Sequence, residues 1–248
     1  MQSVLMAKEK YYLQQGFLSD TELYYSPKII STNRVIIEGD ELHHLKVVMR
    51  HNEGDEIFIT DGIGNLYKTE LMSISKSGAE CSIIEKKYID NNFENIVFCI
   101  PRLKNNDRFE FALEKSVELG ITNFIVFESE RTVAKGDKTE KWQRFLISAM
   151  KQSLHTWIPK IEYRNSIKFL LDINDSKIVL DQKAKTKLSE YLTMNKNKKE
   201  YFIFGPEGGF ADTEIERIKP NFELRLTDNR LRSETAIVST ASLISIYR

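Results

Sequence analysis

The chain has 248 residues, of which 41% are hydrophobic and 29% charged, a composition that excludes bulk disorder and suits one large or two modest domains. Its 36 basic and 36 acidic residues cancel, so the overall balance neither supports nor excludes a polyanionic partner. Cys81 and Cys99 are too few and too isolated for a zinc cluster or a disulfide framework. The N-terminus lacks the apolar stretch of a signal peptide and no run reaches membrane-spanning length, so we expect a cytoplasmic protein without a membrane partner.

Residues 33 to 90 consist of short alternating segments separated by glycine-containing turns, a pattern typical of a small β-barrel. One helix interrupts them, with Asp40 as its predicted N-cap and Gly54 as its end. Its apolar stripe comprises Leu42, Leu45 and Val48/Met49. The polar stretch 90–95 has the composition of a linker, and we therefore predict one domain over residues 1–92 and a second over residues 93–248.

In the second domain, apolar runs of strand length alternate with segments of helical periodicity. The predicted strands are 96–100, 124–127, 177–181, 201–204 and 222–226. The predicted helices are 107–119, 139–154 and 233–247. This alternation predicts an α/β fold with a mostly parallel sheet, and ligands of such folds bind at the carboxyl ends of the strands.

A glycine-rich turn follows the strand at 201–204, in the sequence Phe204-Gly-Pro-Glu-Gly-Gly-Phe210. Glycines at a strand-to-helix junction let the backbone approach a ligand that a Cβ would block. The turn has neither of the phosphate-binding glycine patterns and no lysine, and Glu207 adds a negative charge, so a cofactor without a pyrophosphate, even a cationic one, fits better. A purely structural turn is the alternative. Thr213 and Glu216 have capping-box spacing and predict the helix start.

A second strand-to-helix corner begins at Leu231-Arg-Ser-Glu-Thr-Ala236, after the strand that ends at Leu226. We expect the two corners to form one site. The helix that follows carries apolar residues on several sides, which predicts burial within the fold or against a second subunit.

Positive charge is concentrated between residues 131 and 168, a segment that contains nine basic and three acidic residues. Such a segment could contact a phosphate backbone, although a solvated helix face would look the same. Trp142 lies on an apolar stripe and is expected in the core, whereas Trp157, next to His155, is the better candidate for stacking on a base. His43 and His44 lie on different helix faces with no complementary ligands, so we expect no metal site.

Taken together, the two corners closely resemble the bacterial 16S rRNA uridine-N3 methyltransferases of the knotted SPOUT superfamily. Supporting stretches are Glu118-Leu-Gly120, Ser129-Glu-Arg131, Gln152-Ser153 with Pro159, and His43-His44 leading to Arg50. The resemblance covers roughly residues 35–248. It implies an N-terminal PUA-like barrel that binds RNA, a C-terminal domain with a trefoil knot, S-adenosylmethionine as methyl donor, and a homodimer that modifies 16S rRNA, either free or in the small ribosomal subunit.

The resemblance also implies which residues form the site. The cofactor-binding candidates are Phe204, Gly205, Pro206, Glu207, Gly208, Gly209, Leu226, Leu231, Arg232, Thr235 and Ala236. The RNA-binding candidates are His43, His44, Arg50, Arg131, Lys151, His155 and Trp157. The catalytic candidates are Arg232 and Glu234. The sequence departs from the family pattern at Thr227, Asn229 and His155.

Methylation of a uracil ring nitrogen requires removal of the imide proton, by a general base or with help from a cation that stabilises the anionic ring. We assign the second role to Arg232, with a salt bridge to Glu234 as the structural alternative. Glu207 could face a sulfonium or accept backbone hydrogen bonds that shape its own turn. A non-catalytic ribosome-assembly factor and a methyltransferase acting on another RNA position, such as a ribose 2′-hydroxyl, remain competing hypotheses.

Overall fold

A computed structural model describes residues 21–194 and 198–248, with the side chain of Ile30 left out. The chain divides into two compact units, one running up to Asn91 and including Met150–Ile158, the other formed by Asn92–Ala149 and Pro159–Arg248. The N-terminal segment 1–20, which the sequence analysis placed in the first domain, lies outside the described residues. The predicted functional domains, residues 1–92 and 93–248, are a separate statement from these compact units and stay a prediction.

The first unit is built on a six-stranded mixed sheet in the order β1-β4-β5-β6-β3-β2. Its strands are β1 (Leu23–Tyr25), β2 (Ile29–Ser31), β3 (Arg34–Ile37), β4 (Glu56–Thr60), β5 (Asn65–Ile74) and β6 (Ala79–Tyr88). The β1–β4 pair is parallel, and the other pairs are antiparallel. Alternate residues of these strands form a core that contains Val35, Ile59 and Cys81, because successive side chains in a strand point to opposite faces.

The helix of the first unit differs from the prediction. It begins at Gly39, with Glu38 rather than Asp40 as its N-cap, and α1 (Gly39–His43) continues as a π-helical turn over His44–Val48. Leu45 is fully buried as predicted, but Val48 is 57% exposed. The wider π-turn changes the angular spacing of the side chains, so a stripe drawn at α-helical period fails after Leu45.

The second unit contains a seven-stranded, entirely parallel sheet in the order β11-β13-β10-β12-β7-β8-β9. Its strands are β7 (Ile96–Pro101), β8 (Asn123–Phe127), β9 (Lys160–Arg164), β10 (Ser176–Leu180), β11 (Thr186–Lys187), β12 (Glu200–Ile203) and β13 (Phe222–Arg225). Its helices are α2 (Asn106–Glu118), α3 (Thr139–Gln152), α4 (Leu188–Leu192), α5 (Asp212–Ile218) and α6 (Ser233–Tyr247), with a 3₁₀ turn at Ile167–Asp172. The predicted α/β fold with a mostly parallel sheet is confirmed. The trefoil knot stays a prediction.

Strand β7 is buried along its whole length, as expected for a central strand covered on both faces. The sequence analysis missed β9, whose charged residues alternate with Ile161. This strand forms the sheet edge, where one flank is solvated and no long apolar run is needed. In contrast, Trp142 on α3 is 1% exposed, as the apolar stripe predicted.

Helix α6 buries Ile237, Thr240, Ala241 and Ile244 and packs against α2 and α4. Ile246 remains 64% exposed and Tyr247 45%. Among the described residues, no helix is both long and apolar enough to cross a membrane.

A buried ion pair lies at the amino end of β12, on the edge of the sheet away from the glycine-rich turn. The carboxylate of Glu200 is 1% exposed and accepts hydrogen bonds from the Tyr191 hydroxyl and the Arg248 guanidinium. Burial, reinforced by the neighbouring Glu200, raises the pKa of the Tyr191 hydroxyl. The ion pair links the C-terminal end of α6 to the sheet. Removal of either partner would leave an unpaired buried charge, which is strongly destabilising.

Candidate functional site

Three loops meet at the carboxyl edge of the parallel sheet. Strands β13, β10 and β12 are consecutive in the sheet. The glycine-rich turn follows β12, Asp181 follows β10, and the loop 226–232 follows β13. The sequence analysis missed the middle loop, although the strand before it was predicted. Asp181 lies between the other two loops because β10 lies between β12 and β13 in the sheet. This strand order could not be derived from the sequence.

A side-chain hydrogen bond joins the two corners that the sequence analysis singled out. The hydroxyl of Ser233, in the first turn of α6, donates to the carbonyl of Gly205 at 3.0 Å. The two corners are therefore neighbours, as predicted. Leu226, Leu231 and Ala236 are half-buried around them, and Thr235 is exposed.

The glycine-rich turn is held from outside by Arg131. Its Nη1 donates to the carbonyl of Gly208 at 3.1 Å and to that of Phe210 at 3.2 Å. A Cβ on Gly208 would lie 3.3 Å from the Cβ of Arg131, and Gly209 has φ +69°, a conformation that favours glycine. Arg131 was predicted to bind RNA, and its guanidinium supports the turn in this structure.

Glu207 shapes a neighbouring loop rather than its own turn. Its Oε1 accepts a hydrogen bond from the backbone N–H of Lys104 at 2.9 Å, which ties the turn to the loop between β7 and α2. Of the two roles left open for Glu207, the second was a hydrogen bond within its own turn, whereas the hydrogen bond seen here goes to a neighbouring loop. Its side chain is exposed, and the possibility that it faces a sulfonium stays a prediction.

The start of α5 is capped by Glu214, not by the predicted pair Thr213 and Glu216. Glu214 Oε2 accepts from the N–H of Ala211 at 2.9 Å, and its Oε1 accepts from the N–H of Glu130 at 2.8 Å. This carboxylate is buried and connects the glycine-rich turn to the loop after β8. The helix begins two residues earlier than a cap at Thr213 would require. The capping-box spacing is therefore counted from Ala211, which places Glu214 at the third helical position.

The loop after β13 is stabilised by the residues that depart from the family pattern. The hydroxyl of Thr227 accepts from the N–H of Asn229 at 3.0 Å and donates to its carbonyl at 3.1 Å. Arg225 forms an ion pair with Asp228 in the same loop. The side-chain turn made by Thr227 thus provides a local closure without a glycine.

Arg232 is the N-cap residue of α6 and its side chain is exposed. The ion pair of Glu234 is with Arg108, at 3.5 Å between Nε and Oε1, so the salt bridge between Arg232 and Glu234 that sequence analysis left open is not formed. Among the residues that the structure describes, no carboxylate pairs with Arg232. Its guanidinium is therefore available to a ligand.

Sequence analysis also missed Arg102, which is 3% exposed just after β7. Its guanidinium lies 4.9 Å from the ring centroid of Phe109 and 5.3 Å from that of Trp142, and its Nη2 donates to Asn106 Oδ1 at 2.6 Å. Burial lowers the pKa of this guanidinium, and the charge of Glu110 opposes the shift. Arg102 therefore stabilises the loop between β7 and α2, to which Glu207 is hydrogen-bonded. The signal for it in the sequence was an arginine directly after a buried strand.

The remaining RNA-binding candidates lie in the first unit. They are His43, His44, Arg50, Lys151, His155 and Trp157. Lys151 forms an ion pair with Glu41. Trp157 Nε1 donates to the carbonyl of Ile89 at 2.7 Å, and its ring meets that of Tyr88 edge-on at 6.0 Å. Only part of the Trp157 ring is therefore open to stacking, and the RNA-binding roles stay predictions. No group of three or more potential metal ligands occurs in the part of the chain that the structure describes.

Removing the hydroxyl that joins the two corners should loosen the site without unfolding the protein. We expect Ser233→Ala to lower stability by about 1 kcal/mol, the usual net worth of one hydrogen bond. Urea denaturation would measure this loss, and Ser242→Ala on the same helix is the matched control. No loss relative to the control would show that the hydrogen bond does not hold the corners together.

The parallel α/β unit with its glycine-rich turn, and the small β unit in the same chain, both match family models of RNA methyltransferases. Residues 91–245 match the model of the RNA methyltransferase domain, and residues 37–84 match that of the RNA methyltransferase PUA domain. The chain belongs to this family of RNA methyltransferases. The resemblance seen in the motifs is confirmed.

Named relatives agree with this assignment. The chain is 31% identical over 226 residues to ribosomal RNA small subunit methyltransferase E of Bacillus subtilis (strain 168), covering 84% of this chain and 88% of that protein. It is similar to the crystal structure of ribosomal RNA small subunit methyltransferase E from Neisseria gonorrhoeae bound to S-adenosyl methionine, with 27% identity, a TM-score of 0.81 and coverage of 91% and 97%. A probable rRNA-methyltransferase from Porphyromonas gingivalis is 27% identical, with a TM-score of 0.78 and coverage of 92% and 100%.

Proposed function

We propose that the protein transfers a methyl group from S-adenosylmethionine to N3 of a uridine in 16S rRNA of the small ribosomal subunit. The observation that carries this proposal is the contact between Ser233 and Gly205, which makes one site of the two family motifs. The relatives named ribosomal RNA small subunit methyltransferase E support the substrate, and the Neisseria gonorrhoeae structure with its bound cofactor supports the methyl donor.

The residues around the two corners fit S-adenosylmethionine. The exposed backbone of Gly208 and Gly209 leaves room for close approach, and the turn carries no lysine to repel a sulfonium. Leu226 and Leu231 are half-buried and supply apolar walls for an adenosine. The other proposed cofactor contacts are Phe204, Gly205, Pro206, Glu207, Thr235 and Ala236, together with the backbone of Arg232.

When bound, S-adenosylmethionine would supply an electrophilic methyl group and leave as a neutral thioether, and the glycine-rich turn and the loop 226–232 are the segments that would hold it. The uracil must lose its N3 proton to a base, which leaves negative charge on the ring oxygens. Arg232 is exposed and unpaired by any described carboxylate, so its guanidinium can stabilise that charge. Glu234 is held by Arg108 and acts by positioning the start of α6.

We further propose that the protein works in the cytoplasm as a homodimer. Helix α6 leaves Ile246 exposed and Val238 and Leu243 half-buried, and Phe111 on the adjoining α2 is 48% exposed. These side chains form an apolar face that a second copy could cover. The proposed RNA contacts are those of the sequence analysis, with Arg131 also supporting the glycine-rich turn.

A methylation assay tests the proposal. Small ribosomal subunits lacking the modification are incubated with the protein and S-adenosylmethionine, and the rRNA nucleosides are analysed by mass spectrometry. We expect N3-methyluridine as the new nucleoside. A 2′-O-methylated nucleoside would instead reveal another target atom, and binding to subunits without any methylated product would indicate an assembly factor.

A further inference from the structure

A cavity lies beside the proposed methyl-transfer site, at the carboxyl ends of β8 and β9. It has a volume of about 240 Å³ and is bounded by the loop after β8, the 3₁₀ turn at Ile167–Asp172 and helix α5. Its lining combines apolar side chains, among them the half-exposed Leu171 and the buried Ile218, with charged side chains. None of the residues assigned above to cofactor binding lines this cavity.

Three cations stand on the rim. Lys135, Lys168 and Arg217 are all exposed, and none of them forms an ion pair with a carboxylate in residues 21–194 or 198–248. They come from three separate chain segments, so their meeting is a product of the fold. Lys135 and Lys168 belong to the basic segment that sequence analysis identified, whereas Arg217 lies far from it along the chain.

Two of the three carboxylates of the cavity already accept hydrogen bonds from other donors. Glu128 Oε1 accepts from the N–H of Gly136 at 2.8 Å and from the hydroxyl of Tyr163. Both oxygens of Glu214 accept backbone N–H groups, from Ala211 and Glu130. The third carboxylate, Glu130, is exposed at the edge. Two of the three acidic groups thus have their charge partly compensated by protein donors, while the three cations remain unpaired.

We propose that this cavity binds one nucleotide of the substrate RNA, with its phosphate on Lys135, Lys168 and Arg217 and its sugar or base on Leu171 and Ile218. Unpaired cations in the same cavity as apolar side chains match the two halves of a nucleotide. The cavity adjoins the methyl-transfer site through Glu214, which caps α5 after the glycine-rich turn and holds the N–H of Glu130. This inference rests on the proposed function, because it assumes an RNA substrate.

Salt-dependent binding of a short fluorescein-labelled oligouridylate to the full chain tests the proposal. We expect Lys168→Gln and Arg217→Gln each to weaken binding, and the double variant to lower the slope of log affinity against log salt by about 0.7, the loss of one phosphate contact on a single strand. Lys199→Gln is the matched control, because Lys199 is exposed at the amino edge of the same sheet. A double variant with the wild-type slope would overturn the proposal.

Competition separates a nucleotide site from a simple phosphate site. Uridine monophosphate should displace the labelled RNA from the wild type at lower concentration than inorganic phosphate at equal ionic strength, and both anions should bind more weakly to the double variant, which lacks two of the three cations. Equal competition by the two anions in the wild type would contradict the role of the apolar lining. S-adenosylmethionine affinity is measured in parallel: a wild type that fails to bind it refutes the proposed function, whereas the RNA slopes still report on the cavity.

Discussion

Replacing Arg232 with alanine should lower the turnover of methyl transfer by about 10²- to 10³-fold, the usual cost of removing one preorganised group that stabilises an anion. Affinity for S-adenosylmethionine should change far less. The reason is that Arg232 is exposed at the N-cap of α6 without a described carboxylate partner, so its guanidinium serves the developing uracil anion rather than the fold. Single-turnover methylation and cofactor titration on the same preparations measure the two quantities.

Arg230→Ala is the control, because Arg230 is also exposed in the loop and lies two residues earlier. Its loss should affect turnover much less. Arg232→Lys should recover only part of the activity, since an ammonium cannot reproduce the planar fork of a guanidinium. Equal losses of turnover and cofactor affinity in Arg232→Ala would assign this residue a structural role instead.

Gly208→Val should weaken S-adenosylmethionine binding by about 10- to 100-fold, or about 1.4–2.8 kcal/mol, because the branched side chain displaces backbone that would contact the cofactor. The new Cβ would lie 3.3 Å from that of Arg131, whose guanidinium holds the carbonyls of Gly208 and Phe210. Displacing either partner moves the backbone that faces the cofactor.

Two controls separate this effect from unfolding. Gly208 is exposed at the surface of the turn, so the thermal unfolding midpoint of Gly208→Val should stay close to that of the wild type. Gly208→Ala, which adds only the Cβ, should give a smaller loss of affinity. Wild-type affinity in Gly208→Val would remove this turn from the cofactor site.

The sequence predicted the parallel sheet well because its strands are continuous apolar runs, such as β7, and its helices carry clear stripes. It failed for β9, which lies at the sheet edge and needs little apolar surface. It also failed in the π-helical turn after His43, where the spacing of side chains departs from the α-helical period. Rules based on hydrophobic periodicity succeed where burial dictates the pattern. They fail at a solvated sheet edge and where a helix departs from the α-helical period.

The site was predictable to the level of its two motifs. Side-chain partners far apart in sequence were not: Glu207 bonds to Lys104, Glu214 to Glu130, and Arg131 to Gly208. Each of these contacts depends on which strands are neighbours, and that order follows from the tertiary fold. For the same reason, the meeting of Arg217 with Lys135 and Lys168 around one cavity could not be predicted from the sequence.

A crystal structure of the protein with S-adenosylmethionine tests the central claim most directly. The account predicts that the cofactor lies at the carboxyl edge of the sheet, in contact with the backbone of 205–209 and with residues of 226–236. Cofactor bound elsewhere, or bound to only one of these segments with the other turned away, would contradict the assignment of the two corners to a single methyl-transfer site.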